Sequence, residues 1–282
     1  VALKFIKPVT PSQRGNVRID YSKELSYSNS KTPKKLRKPL KGSAGRSGGK
    51  ISIRHKSRGV KSHYRVIDFS RKIRNVNGEI KSIEYDPNRN AFISLVVYEN
   101  GLKSYILTPK GIKVGDKVIS GDEVSLEVGN ATKLSRISPG IEVHNIELNP
   151  GSGGTMVRSA GTSAVILGSD GVYTQLRLPS KEVRLVNSNS YATIGSVSNS
   201  DYINTNIGKA GRNRRKGVRP TTRGMVQDPS SHPHGGGEGK GVIGHVPKDK
   251  WGNVRGKLTR RKKNRFNKFR LSNRKGGKIV TK

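Results

Sequence analysis

The stretch SHPHGGGEGKG, residues 231–241, sets His232 and His234 two positions apart, with Glu238 four residues further on and Gly235, Gly236, Gly237 and Gly239 among them. Imidazole nitrogens beside a carboxylate are the ingredients of a divalent-metal centre, and a metal-bound water would make the loop a candidate for phosphodiester chemistry. Further ligands would have to come from Glu238 or His245, with Asp228 and Asp249 nearby. The surrounding charge argues against this. From residue 201 onward the chain carries 23 basic and four acidic side chains. That field repels a dication unless phosphates supply the counter-charge, and two-metal hydrolases usually hold more carboxylates.

The same residues suit a second chemistry better. Pro233 stiffens the turn between the histidines, and the glycines lack the Cβ atoms that would hold a surface away from backbone N–H groups. Such a backbone can thread between closely spaced phosphates, while an imidazole can donate to a phosphate or stack on a base. Glu238 is the odd member, suited to an arginine, a base amino group or a metal ion already bound to RNA. The loop therefore reads as a shaped RNA contact, with no cofactor of its own and Mg2+ only as an RNA-associated ion. Two other glycine-rich segments fail as phosphate loops. In GRSGGKIS, residues 45–52, Ala44 precedes the run where a glycine is required and Ile51 replaces the Ser or Thr that would hold Mg2+. GSGGT, residues 151–155, lacks the lysine.

The elements that must position this loop are indicated by the charge distribution. Of 282 residues, 56 are Lys or Arg and 19 Asp or Glu, a formal net charge of +37. Residues 1–65 hold a net +16, residues 66–200 only +2, and residues 201–282 a net +19. The basic ends are rich in Gly, Ser, Asn and Pro, as in KTPKKLRKPLKGSAGRSGGK and LTRRKKNRFNKFRLSNRKGGK. Such segments repel themselves and are expected to bury little apolar surface, so alone they should lack a fixed fold. A polyanion would remove that repulsion and release its own counterions. There is no cysteine, which excludes disulfides and thiolate-bound zinc. VALKFIKPVT at the N-terminus has no apolar core of secretory-signal length, and no stretch approaches a membrane span, so the chain is read as soluble and without a membrane partner.

The near-neutral middle reads as β structure. HYRVIDF, EIKSIEYDP, AFISLVVY, LKSYILTP and VGDKVISG are five strand-like segments separated by turn signals such as Asn77-Gly78 and Glu99–Gly101. Their number and spacing predict an OB-like barrel over 63–125, in which residues 91–98, apolar on both faces, form a central strand. IEVHNIEL, TMVRSAG, SAVILG, VYTQLRL, EVRLV and YATIGSV predict a second, SH3-like barrel over 126–200, with a hairpin turn at Ser169–Gly171. The fold class is mainly β, with basic extensions at 1–62 and 201–282. No long amphipathic helix is evident, and INTNIGKAGRNRRKG is expected to hold one or two helical turns.

In several of these motifs the chain resembles the large-subunit ribosomal protein two family in its bacterial and organellar form. YDPNRNAFISLV, SYILTPKGIKVGD, AGTSAVILG, LRLPSKEVRLV, GKAGRNRRKG and HPHGGGEGKG carry the resemblance, which covers nearly the whole length. It implies a structural, non-enzymatic constituent of the large ribosomal subunit whose extensions are buried in large-subunit rRNA. It also implies a place near the peptidyl transferase centre and a part in joining the two subunits. Its partners would be large-subunit rRNA, neighbouring ribosomal proteins and a small-subunit contact at the subunit interface, and it would not act as a free homo-oligomer. The compartment would be the ribosome of a bacterial cytoplasm, a mitochondrial matrix or a plastid. The family's noted histidine falls on His232, to which the resemblance gives a supporting role beside an RNA active centre. Three segments depart from the family pattern: KSRGVKSHYR replaces a glycine-rich stretch, Arg215 stands where a tryptophan is common, and DPSS precedes His232 in place of NPVD.

The expected RNA contacts are Lys34, Lys35, Arg37, Lys38, Arg54, Lys56 and Arg58 in the N-terminal extension. In the C-terminal extension they are Arg212, Arg214, Arg215, Arg219, Arg223, the loop of His232, His234, Gly235, Gly236 and Gly237, and the basic run Arg260, Arg261, Lys262 and Lys263. Trp251 and Phe266 could each stack on a base or cover a local apolar patch. Two rivals stand beside this reading. A DNA-compacting protein would use the basic ends but has no need of two barrels. A metal-dependent nuclease or phosphotransferase would use His232, His234 and Glu238 and lose activity with chelator.

Overall fold

The computed structural model describes residues 3–26, 32–40, 45–240, 243–257, 259–261 and 263–277. The chain divides into two compact units, one of residues 1–41, 61–209 and 266–282, the other of residues 42–60 and 210–265. Among the described residues no helix is long and apolar enough to cross a membrane.

The first unit holds both predicted barrels. Strands β1 (Gly78–Glu84), β2 (Ile93–Tyr98), β3 (Lys103–Leu107) and β4 (Lys117–Val118) form an antiparallel sheet in the order β4-β1-β2-β3. The β2–β3 hairpin closes where the sequence placed it: Gly101, at φ +77°, donates its N–H to the Tyr98 carbonyl. Strand β2 is central and buried on both faces, with Val96 and Tyr98 in a cluster with Ile80, Phe92, Ile106 and Val118, and Ile93 and Leu95 in another with Ile67 and Tyr105. Each such side chain contributes on the order of 1.5–3 kcal/mol by leaving water. The fold is OB-like, with one difference from the expected strand set. His63–Arg65 pairs with Arg37–Pro39 of the N-terminal extension instead of joining the four-stranded sheet. The segment reaches β3 only further on, through a parallel bridge of Ile67 to Tyr105, after which the Asp68 carboxylate accepts from the Ser70, Arg71 and Lys72 N–H groups and turns the chain away.

The second sheet contains β5 (Ala131–Lys133), β6 (Glu142–His144), β7 (Ala164–Ser169), β8 (Tyr173–Arg177), β9 (Val183–Asn187), β10 (Tyr191–Ile194) and β11 (Arg270–Ser272), in the order β5-β10-β6-β7-β8-β9-β11. Leu134, Val143, Ile146, Ile166, Leu176, Val186 and Ile194 fill its SH3-like core. The ends of the chain contribute to both barrels, contrary to the expectation that they have little to bury. Ile19 lies in the first core, and Tyr21 packs edge-on against Tyr85 at 5.3 Å and Phe92 at 6.2 Å. At the other end, Arg270 pairs with Glu182 on a largely buried contact, and Phe269 lies 5.7 Å from Tyr173. Strand β11 thereby covers the otherwise open edge of β9.

Candidate RNA interface

The N-terminal candidates separate into two groups. Lys34 and Lys35 lie on the single turn Lys34–Leu36, and Arg37 and Lys38 on the strand that follows. All four are exposed, while Leu36 between them packs against the Ile67 and Tyr105 cluster. One apolar anchor thus holds four cations outward. Arg54, Lys56 and Arg58, also exposed, belong to the second unit.

In that unit the two basic ends run against each other. The Ser57 N–H donates to Gly217 O at 2.8 Å, the Val60 N–H to Arg215 O at 2.9 Å, and the Arg219 N–H to His55 O at 3.0 Å. The backbones come so close at Gly59 (φ +67°) that a Cβ there would stand 2.5 Å from the Arg215 carbonyl oxygen. This glycine serves a backbone–backbone crossing within the protein, and the neighbouring Val60 is exposed. Beside the crossing, the expected helix spans Ala210–Arg215, with Arg212 half-buried and Arg214, Arg215, Arg219 and Arg223 exposed. GRSGGKIS forms a hairpin, Arg46–Ser47 against Lys50–Ile51, turning through Gly48 and Gly49 at φ +53° and +73°. GSGGT has its amides committed internally, the Gly151 and Gly153 N–H groups donating to the buried Glu147 carboxylate at 3.0 and 2.9 Å.

The histidine loop is organised by its own backbone. The His232 N–H donates to Asp228 O, the Gly235 N–H to His232 O, and the Gly236 N–H to Gln227 O. The His234 N–H donates to His232 Nδ1 at 3.1 Å, so the proton of His232 sits on Nε2. The His232 ring lies directly on Gly224, where a Cβ would meet Cε1 at 2.4 Å. His234 Nε2 accepts from the Lys248 N–H at 2.9 Å, which fixes it as an acceptor. The rings of His232 and His245 lie 4.8 and 5.2 Å from that of His234. Desolvation first, then His232, His245, Arg255 and Lys248, holds the His234 imidazole below its ordinary value, in keeping with that acceptor role. Gly235 and Gly236 are glycines because Gln227–Pro229 press on them, whereas Gly237 faces open space and Glu238 is exposed. Among the described residues no three His, Asp or Glu side chains are arranged to hold a metal ion. The loop's shape is therefore set first by internal packing, leaving the His232 Nε2–H and the Gly237 backbone on offer.

Further on, Trp251 is exposed with the Lys250 Nζ 4.5 Å over its ring, while Phe266 is half-buried and lines a groove with Tyr173, Leu185 and Phe269. Arg260, Arg261 and Lys263 are exposed; Lys262, like Ala44 and Gly241, lies outside the described residues.

Two arginines that sequence reasoning missed are further candidates. Arg158 and Arg89 stack over Phe69 at 4.5 and 5.6 Å, and Arg89 also faces Tyr64 at 6.0 Å. Arg89 is held by Asp86, fully buried, at 2.6 Å, and Arg158 donates to Gly154 O at 3.2 Å. With Met156 and Pro179 they line a groove of about 720 Å³ in the first unit. Guanidinium groups braced over aromatic rings suit phosphates and bases together. Asp86 and Arg89 at i, i+3 inside YDPNRNAF was the available signal.

Comparison with known proteins shows the family of the chain. Residues 33–120 match the family model for "Ribosomal Proteins L2, RNA binding N-terminal domain", and residues 127–252 that for "Ribosomal Proteins L2, C-terminal domain". The chain is 50% identical over 279 residues to "Large ribosomal subunit protein uL2" of Treponema pallidum (strain Nichols), covering 98% of this chain and 100% of that protein. It is 51% identical over 267 residues to the protein of the same description in Helicobacter pylori (strain G27), covering 93% and 95%. The "Large ribosomal subunit protein uL2" of Helicobacter acinonychis (strain Sheeba) shares 51% over the same length. The two matched domains span most of the chain and the relatives nearly all of it, and it belongs to the ribosomal protein L2 family.

Proposed function

We propose that the chain is a structural constituent of the large ribosomal subunit, without an enzymatic activity of its own, that binds large-subunit rRNA and supports assembly. The barrels at 63–125 and 126–200 dock on the rRNA surface, and the extensions at 1–62 and 201–282 lie along phosphates that would otherwise repel as RNA helices pack. The observation that carries this reading is the charge partition: +16 and +19 at the ends against +2 in the middle, with all but one of the described arginine and lysine candidates exposed. Neutralising phosphates releases counterions and makes such binding strong and steeply salt-dependent. The contacts are those expected above, from Lys34 to Lys263, joined by Arg89 and Arg158. Mg2+ enters only as an ion bound to RNA.

The resemblance extends the proposal to a place near the peptidyl transferase centre, contacts with neighbouring ribosomal proteins, and a contribution to joining the small subunit, in a bacterial cytoplasm or an organelle. His232, seated on Gly224 with its Nε2–H free to donate, then supports the RNA around the active centre. Reconstitution of large subunits with the His232→Ala chain tests this. Complete assembly with slowed peptide synthesis is the expected result, and complete assembly at the normal rate would reduce the loop to packing.

A further inference from the structure

The second unit contains a pocket that phosphate neutralisation alone does not require. Its volume is about 430 Å³, and Arg54, Arg223, His232, His234, Trp251 and Arg255 are among its lining residues. That volume falls within the roughly 300–1,000 Å³ of sites that enclose small ligands.

Its aromatic wall is built with care. The chain's sole tryptophan sits at the tip of a hairpin closed by a bridge between Lys248 and Val254. Inside the turn the Asp249 carboxylate accepts from the Trp251 N–H at 2.9 Å, the Asn253 N–H at 2.8 Å and the Asn253 side chain at 3.0 Å. These hydrogen bonds hold Asp249 below the usual carboxylate range and turn the only acid of the pocket toward the hairpin backbone. The hairpin is latched to the histidine loop through the Lys248 N–H and His234 Nε2. Yet Trp251 itself is 74% exposed. A rigid frame that keeps a large aromatic face in water is the form of a stacking surface awaiting its partner.

The remaining walls specify that partner. Arg54, Arg223, Arg255 and Lys248 face a cavity whose single carboxylate is occupied, so the ligand is anionic. His232 offers the Nε2–H, and Gln227 and Thr222 add amide and hydroxyl groups suited to the edge of a base. A paired duplex offers phosphates but keeps its base faces stacked inside, and it would leave the indole unused. We infer that this pocket captures one unpaired nucleotide of the bound RNA, its base on the Trp251 indole and its phosphate among Arg54, Arg223 and Arg255. The inference rests on the rRNA-binding reading and names the form of RNA that this part of the extension selects.

The test uses the full chain and the fluorescence of Trp251, with oligouridylate, an RNA duplex of equal phosphate number and uridine monophosphate as probes. Binding of both RNAs is followed separately by filter retention. Saturable quenching by oligouridylate and none by the bound duplex is expected. Trp251→Ala should weaken oligouridylate binding by about ten-fold while leaving duplex binding unchanged, and Trp251→Phe should retain most of the affinity. Equal quenching by the duplex, or equal losses for both RNAs on Trp251→Ala, would overturn the inference. Quenching by uridine monophosphate as tight as by the strand would overturn it too, assigning the pocket to a free nucleotide. If both RNAs bind and the indole stays silent, the nucleotide site alone falls. If neither RNA binds, the rRNA-binding reading falls with it.

Discussion

Replacing His144 should remove a specific piece of the chain's acid sensitivity. His144 closes strand β6 in the core of the SH3-like barrel, fully buried, and its Nδ1–H donates to Gly195 O at 2.7 Å. Its Nε2 has no hydrogen-bond partner among the described residues. Burial, with the buried Arg71 guanidinium adding to it and the Gly195 carbonyl opposing, pushes the imidazole down to about 4 from 6.5. The unfolded chain therefore takes up a proton at His144 before the folded chain does. This contribution to stability is complete above 6.5 and is lost progressively as pH falls to about 4. At about 1.36 kcal/mol per unit, the loss is roughly 3 kcal/mol, a large share of the ~5–15 kcal/mol by which a domain is stable. His144→Asn places an amide donor near the position of Nδ1 but cannot titrate. It should cost about 1–2 kcal/mol at every pH for the vacated ring volume while flattening the dependence in this window. Urea unfolding of the full chain, followed by circular dichroism at a series of pH values, measures both quantities. Asp122, held low by Lys133 and Tyr191, acts chiefly at lower pH, and His234, also held low, is present in both chains, so the difference between the two curves isolates His144. Parallel stability curves for the two chains would refute the reasoning.

Other outcomes follow from single contacts. Arg158→Ala, which removes an exposed guanidinium from Phe69 without touching the core, should weaken large-subunit rRNA binding by about ten-fold in filter retention. Arg89→Ala should also destabilise the barrel by about 3 kcal/mol in urea unfolding, because it leaves the buried Asp86 carboxylate short of its closest partner. Gly224→Ala, whose Cβ would meet the His232 ring, should shift the His232 ring resonances while leaving those of His144 unchanged. Phe269→Ala should cost about 2 kcal/mol, near half of the loss for a fully buried phenylalanine, because β11 is anchored to Tyr173 through it.

The legible part of the fold was the part decided by local pattern. Residues 93–98 announced a central strand because every position is apolar or small, and Gly101 and Gly171 fixed their hairpins because those turns need positive φ. The strands that escaped notice have no such pattern. Ala131–Lys133 and Arg270–Ser272 are three residues long and are strands only because a distant edge pairs with them, β9 in the second case. The site followed the same division. The charge partition and the glycine loop could be read along the chain, whereas Arg89 and Arg158 gain their meaning from a shared Phe69 that only the fold brings to them. The glycines of the loop were read along the chain as room for RNA, and the fold adds a reason the sequence hides: a Cβ at Gly235 would meet the Gln227 and Asp228 backbone, and one at Gly236 the Pro229 ring.

The most direct test of the central claim is ultraviolet crosslinking of the tagged protein in its native cells, followed by sequencing of the attached nucleic acid and identification of the crosslinked peptides. The account predicts crosslinks concentrated in large-subunit rRNA, with peptides from 34–58, from 212–263 and from the Arg89 and Arg158 groove. Crosslinks scattered over DNA or over many unrelated transcripts would contradict it.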